Sequence, residues 1–223
     1  PQRGGTLRIA TQVDPREWNP IYSHFSGEGL AASLVYNTPF AQRTVAGSCD
    51  TQLENRALES WRWIDDTHAE FVLRAGMFFH DKPPVNGREM VADDMVYSLE
   101  RMQAWNKFQK PLFEPITGIE ATGKYTVVIT LSEPFGGLIE ALIGGAGDQL
   151  FLLPREVVGD DRTLWVDPEK TWIGTGPYMF TEWQPGVKWI LDRNPNYYLP
   201  ELPYFDRIEV IIVPDSNTLE AKL

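Results

Sequence analysis

Three histidines, His24, His68 and His80, are the only imidazoles available for metal or acid–base work, and none forms a spaced pair with another. Phe79-His80-Asp81 places an imidazole beside a carboxylate, the combination that orients a catalytic histidine. Adjacent residues seldom face each other in that way, so a structural histidine ending a strand before a turn aspartate is the expected reading. The pairs Asp65-Asp66, Asp93-Asp94 and Asp160-Asp161 have the residue type of glycosidase carboxylates, which must face each other across roughly 5 to 9.5 Å from different elements. Sequence neighbours do not supply that, and turns and a helix start account for the pairs. Gly174-Thr175-Gly176-Pro177-Tyr178 is glycine-rich like a phosphate cradle, yet it lacks the lysine and following hydroxyl residue, and Pro177 removes an amide donor. A tight turn before a strand is expected there instead. The single Cys49 gives neither a disulfide framework nor a thiolate cluster. HExxH, GxSxG, P-loop and strand-linked GxGxxG patterns are missing, so no catalytic residue, metal ligand or cofactor is assigned. Of eight tryptophans, Trp18, Trp105, Trp165 and Trp172 adjoin loop signals, where an indole either packs in a core or lines a ligand cleft.

The elements that must position these residues follow from periodicity. Thr6 to Ala10 alternates apolar and polar after a glycine pair and reads as a strand; Asp14-Pro15 and Asn19-Pro20 then punctuate a loop, and Gly29 to Tyr36 has helical apolar spacing. Trp61 to Ile64, a turn at Asp65-Asp66, and Thr67 to Arg74 with Phe71 and Leu73 on one face form a hairpin. A loop at Pro83-Pro84 and Asn86-Gly87 precedes a helix from Asp93 to Met102 that carries Met95, Val96, Leu99 and Met102 on one stripe. Its first turn holds Asp93 and Asp94, where carboxylates suit the positive end of the helix dipole. Tyr125 to Leu131, Tyr178 to Phe180, Val187 to Leu191 and Ile208 to Val213 are further strands, and Leu138 to Ile143 is a short apolar helix. The fold class is α+β, with strands outnumbering helices and no internal repeat.

Composition sets the outer bounds. The 223 residues, 43% hydrophobic and 12% aromatic, are ample for a packed core. Thirty-one acidic against 20 basic residues give a net charge of -11, with both signs interspersed, which repels phosphate backbones and excludes nucleic acid as a partner. The longest apolar runs, Ile208 to Val213 and Leu150 to Leu153, fall far short of the roughly 20 residues that span a bilayer. The sequence opens at Pro1 without Met or a charged-then-apolar leader, as expected of a mature or trimmed chain whose targeting segment has been removed, and the residues after Ser216 cap no helix, so the natural polypeptide is expected to continue.

Read in order, these segments resemble the extracytoplasmic solute-binding proteins of the oligopeptide, dipeptide and nickel type, family 5. The resemblance starts at Gly4-Gly5-Thr6-Leu7 and runs through the Asn19-Pro20 loop, Leu34-Val35-Tyr36-Asn37, Leu58-Glu59-Ser60-Trp61 and Phe71 to Gly76. It is strongest at Phe78-Phe79-His80-Asp81 followed by Ala92 to Arg101, and it continues in Gly174 to Tyr178 and Arg193-Asn194-Pro195-Asn196-Tyr197-Tyr198. The stretch Lys82 to Val91 is longer than the family's turn, and Val91 stands where a capping Thr is common. Loss of that cap is worth about 1 kcal/mol unless Asn86 or a neighbour substitutes.

The resemblance implies the first lobe of a type II periplasmic-binding-protein clamshell, with residues 1–37 and 163–223 forming lobe I, residues 38–162 an inserted subdomain, and the second lobe absent. It implies a non-enzymatic substrate-binding component of an ABC transporter that captures a small-molecule or peptide ligand and delivers it to permease subunits. The protein would be a periplasmic or cell-surface monomer, with an N-terminal lipid anchor in its full-length form. By position, His24, Phe25 and Ser26 after the first strand match a segment that meets ligand, and Trp105 and Phe108 fall near an aromatic wall of the cleft. Two rival classes stand beside this reading: an extracellular carbohydrate-active enzyme or carbohydrate-binding module, motivated by loop aromatics and acidic pairs, and a purely structural domain.

Overall fold

The computed structural model describes residues 3–15, 18–20, 26–44, 51–105, 110–143, 150–158 and 167–214. They divide into two compact units: Pro1–Tyr36 with Phe78–Arg88 and Glu156–Leu223, and Asn37–Met77 with Glu89–Arg155. Residues 78–88, inside the span expected as an insert, pack with the first unit.

The first unit is built on a four-stranded sheet of order β1-β10-β9-β8, with β1 at Thr6–Thr11, β8 at Tyr178–Gln184, β9 at Lys188–Arg193 and β10 at Arg207–Ile212. β1 runs parallel to β10, pairing Thr6 with Arg207, and the other pairs are antiparallel. The β8–β9 turn places Gly186 at φ +71, a left-handed conformation that a side chain would strain. In β10 the alternation puts Ile208, Val210 and Ile212 inward, whereas Trp189, Ile190 and Leu191 of β9 are all buried, as suits a central strand covered on both faces. Helices α1 (Ser26–Val35) and α6 (Pro168–Thr171) pack on β8. The core is aromatic: Trp18 lies edge-on to Trp172 at 5.1 Å and to Phe180 at 4.9 Å, and Phe180 stacks on Trp189 at 6.2 Å. Such pairs add stabilisation beyond their buried area. The short α5 spans Arg155–Val158.

The second unit holds a hairpin, β2 (Phe40–Thr44) with β3 (Thr51–Asn55), and an antiparallel sheet of order β4-β5-β7-β6. Its strands are Leu58–Trp63, His68–Leu73, Thr126–Leu131 and Ile116–Ala121 in that spatial order. Ala69, Phe71 and Leu73 of β5 and Val127, Ile129 and Leu131 of β7 face inward at period two. On this face packs α2 (Ala92–Trp105), burying Met95, Leu99 and Met102 as the stripe requires, while Val96 is half-buried and Tyr97 and Ser98 are buried. The remaining helices are α3 (Lys110–Phe113) and α4 (Leu138–Ile143), and α4 packs against β2.

The missing Thr cap of α2 is replaced from within the helix. The Asp94 carboxylate accepts the Val91 amide at 2.9 Å, the returning half of a capping box. Asn86 does not serve that end; its side-chain amide donates to the Pro84 carbonyl.

Candidate functional site

The loop expected to meet ligand ends where α1 begins, so the contacts that hold α1 decide how well that end of the first unit is fixed. The decisive positions are glycines. A Cβ on Gly174 would lie 2.1 Å from the Val35 carbonyl oxygen, and one on Gly176 would lie 2.5 Å from that of Leu34. The backbone of this segment therefore touches the last turn of α1 directly, and the Gly176 amide donates to the Val35 carbonyl at 2.8 Å. This satisfies a carbonyl that the helix itself leaves without a partner.

His80 fixes the same segment from another side. Its backbone amide donates to the Gly174 carbonyl at 2.8 Å, and its Nδ1 accepts the Gly174 amide at 3.3 Å. Nε2 then carries the proton and donates to the Gly176 carbonyl at 3.1 Å, which also accepts from the Asn194 side chain at 2.9 Å. The imidazole is fully buried; burial pushes its pKa down to about 4, against the opposing pull of the bond to Gly176. Both ring nitrogens are thus engaged with backbone, so His80 is neutral and structural and does not form the dyad with Asp81. The amides that an anion cradle would need are occupied: that of Gly174 by His80 Nδ1 and that of Gly176 by the Val35 carbonyl.

Lys82 ties the following turn to the same unit. Its ammonium donates to the carbonyls of Glu169 and Phe180, the latter at 2.8 Å, and burial lowers its pKa while Glu169 and Asp167 pull it back up. Arg88 closes the loop with a two-pronged pair to Glu156, its Nη2 at 2.7 Å, and lies over the Phe79 ring at 4.9 Å.

Of the residues expected to contact ligand, Ser26 opens α1 and Trp105 closes α2 in the backbone. Their side chains, and all of His24, Phe25 and Phe108, lie outside the described residues. Trp165 lies outside them too. For Trp18 and Trp172 the structure decides between core and cleft in favour of the core: they are 2% and 0% exposed, and the Trp172 indole donates to the Trp18 carbonyl at 2.5 Å. They pack in the interior and do not stack on a ligand. The described acidic pairs have structural settings as well: Asp65 caps the β4–β5 turn through the amides of Thr67 and His68, and Asp94 caps α2. The His68 imidazole meets Asp65 at 2.9 Å, a His–Asp contact that sequence reasoning did not find. Its signal is the Asx-type turn at Asp65, whose side chain accepts from residues two and three positions further on. Among the described residues, no group of three or more His, Cys, Asp or Glu could hold a metal ion.

The model of the bacterial extracellular solute-binding proteins, family 5 (middle), matches residues 52–223. The chain belongs to that family. Over its whole length this family 5 chain is 27% identical to the oligopeptide-binding protein AppA of Bacillus subtilis, covering 40% of that protein. It is 26% identical over 97% of its length to a probable D,D-dipeptide-binding periplasmic protein of Escherichia coli, covering 41%. Among solved structures, DppA of Helicobacter pylori in complex with the peptide STSA matches all of the chain with a TM-score of 0.80 at 27% identity, over 45% of that protein. AppA in complex with a nonapeptide matches with a TM-score of 0.81 at 25% identity. The chain thus spans under half the length of the relatives it matches, and the mixed α/β fold is the family 5 fold.

Proposed function

We propose that this family 5 chain is part of the substrate-binding component of an ABC transporter and captures a small solute, peptide-like in character, outside the cytoplasmic membrane. The observation that carries the reading is the family match over residues 52–223, joined to whole-chain likeness to two binding proteins solved with peptides. The relatives are binding proteins, and they support a non-enzymatic role with permease subunits as the onward partner. No described helix is long and apolar enough to cross a membrane. In this reading residues 1–37 and 163–223 form lobe I and residues 38–162 its insert. His24, Phe25, Ser26, Trp105 and Phe108 meet the ligand, the full-length protein acts as a monomer at the periplasmic or cell-surface side, and a lipid anchor holds its N-terminus.

The physical support comes from the first unit. A receptor needs a binding loop set on a stiff base, because ordering side chains at binding costs affinity. The aromatic core and the glycine contact under α1 supply that base. Calorimetric titration of the full-length protein with a mixed di- to nonapeptide series tests the proposal. Saturable binding, weakened about tenfold or more by Phe25→Ala or Trp105→Ala, is the expected result. Absence of peptide binding together with sustained turnover of chromogenic glycosides would overturn it.

A further inference from the structure

At one end of the sheet of the second unit, the turn at 63–66 and the segment 134–136 enclose a groove of about 490 Å³ whose lining includes none of the residues proposed to meet ligand. Its apolar surface comes from Trp63, Ile64, Pro134 and Phe135, and its polar edge from Asp65 and Asp66. Ile64 is 49% and Trp63 39% exposed although both are large and apolar. Scattered exposed residues of this kind need no explanation, but a contiguous apolar surface does.

The groove is also built rather than accidental. A Cβ on Gly137 would lie 2.5 Å from the tip of the Phe135 ring, so glycine at this position lets the ring fold back over the backbone and stand as one wall. The opposite wall is held by the Asp65 turn, in which the carboxylate accepts the amides of Thr67 and His68, each at 2.8 Å. The bond from the Thr67 amide first, and then that from the His68 imidazole, keep the Asp65 carboxyl at a pKa of about 2 and hence ionised at any physiological pH.

Charge and shape select the occupant. Asp65 and Asp66 line the groove, the exposed Glu133 precedes Pro134, and the ring of His68 beside Asp65 is the one basic group bonded to these carboxylates among the described residues. The volume falls within the range of small-molecule pockets, but walls this exposed would leave much of a small ligand in water. A protein segment, which brings its own cover, suits an open groove better. We propose that this groove is a docking site for a partner-protein segment that presents an apolar side chain flanked by lysine or arginine. The apolar group lies between Trp63 and Phe135; the cations meet Asp65 and Asp66 and one of them the face of the Trp63 indole. Anionic membranes are disfavoured by the same charges and by the net charge of -11. This inference stands independently of the proposed role in solute capture.

The test titrates the chain by calorimetry with a capped Lys-Leu-Phe-Lys tetrapeptide and its Glu-Leu-Phe-Glu counterpart. The basic peptide is expected to bind with Kd of about 1 mM or tighter and the acidic one at least about tenfold more weakly. Binding should weaken about tenfold in roughly 0.5 M salt, where screening acts within a few ångströms. It should be lost in Asp66→Lys and reduced about threefold or more in Gly137→Ala, whose new methyl displaces the Phe135 ring, with circular dichroism unchanged. If Gly137→Ala does not fold, Ile64→Ser at an exposed position provides the same readout. Equal binding of the two peptides, no binding of the basic one, or binding that survives Asp66→Lys and so reports another site would each overturn the proposal. So would light scattering showing that the groove takes a second copy of this chain, or its capture by vesicles of anionic phospholipid.

Discussion

Two polar knots, one in each unit, perform the same task with opposite chemistry. In the first unit, His80 ties residues 78–88 to Gly174 and Gly176 with neutral hydrogen bonds in a fully buried setting. In the second, Glu89 gathers the Gly76 amide, the Tyr125 hydroxyl and the Lys124 ammonium, each at 2.8 Å, near the surface. Those partners, led by Lys124, hold the Glu89 carboxyl at a pKa of about 2. The buried knot avoids charge because a lone buried charge is costly; the surface knot uses charge because water screens what the partners do not neutralise. The two should therefore fail in different pH windows and by different amounts.

The largest effect is expected from Gly176→Ala. The new Cβ meets backbone atoms of Leu34 and Val35, which cannot swing aside as a side-chain tip would. A loss of about 3 kcal/mol or more by urea denaturation is predicted, at the upper end for overpacking. Stability within about 1 kcal/mol of wild type would show that α1 shifts freely, and would break the claim that the first unit is a rigid base.

Next comes the pH dependence of His80. Its pKa falls from 6.5 to about 4 on folding, so the unfolded chain binds the extra proton between those values. The stabilisation is complete above pH 6.5, falls as the pH drops towards 4, and is flat below that; the full shift corresponds to about 3 kcal/mol. Glu89 has its pKa lowered from 4.5 to about 2, so its contribution is complete above pH 4.5 and is lost only below it. Between pH 6.5 and 4.5, His80 loses its contribution and Glu89 does not. Hydrogen exchange at α1 should accelerate in that interval while β5 stays protected, and His80→Gln should abolish the difference. Equal acceleration in both units would merge the two knots into one.

Smaller effects sharpen the contrast. Asp94→Ala removes the acceptor for the Val91 amide and should cost about 1 kcal/mol, visible as a lower urea midpoint. Glu89→Gln keeps a hydrogen-bond acceptor and loses only charge, so thermal unfolding at pH 7 should shift by the equivalent of about 1 kcal/mol or less, and raised salt should narrow the gap.

The legible parts of the fold were those with a clean period. β1, the β4–β5 hairpin, α2, β7 and α4 all carry their apolar residues at spacing two or near 3.6, and each was placed to within a few residues. The β2–β3 hairpin was not read, because Phe-Ala-Gln-Arg-Thr and Thr-Gln-Leu-Glu-Asn lack alternation and Phe40 is their main buried anchor. β6 was hidden by Gly118, a weak strand former whose place is set by Thr130 on the next strand. The glycines at 174 and 176 were noticed, but their reason lies in α1, some 140 residues earlier, and no local pattern encodes that contact. Trp18 and Trp172 sit beside proline and glycine signals that also mark loops, so composition could not separate core from cleft. The five expected ligand contacts came from family resemblance, and the proposal for them rests there still.

The pairing of β1 with β10 joins Thr6 to Arg207, and the Gly5 amide beside it donates to the Asp206 carboxylate across 201 positions of the chain. Closing so long a loop is entropically expensive and must precede any reward from that ladder. Every strand of the second unit lies between those two partners. During synthesis, the middle of the polypeptide can therefore become ordered while the first strand still waits for its neighbour to emerge. Until then that strand offers open edges on both sides, the period in which a chaperone or a wrong pairing would find it.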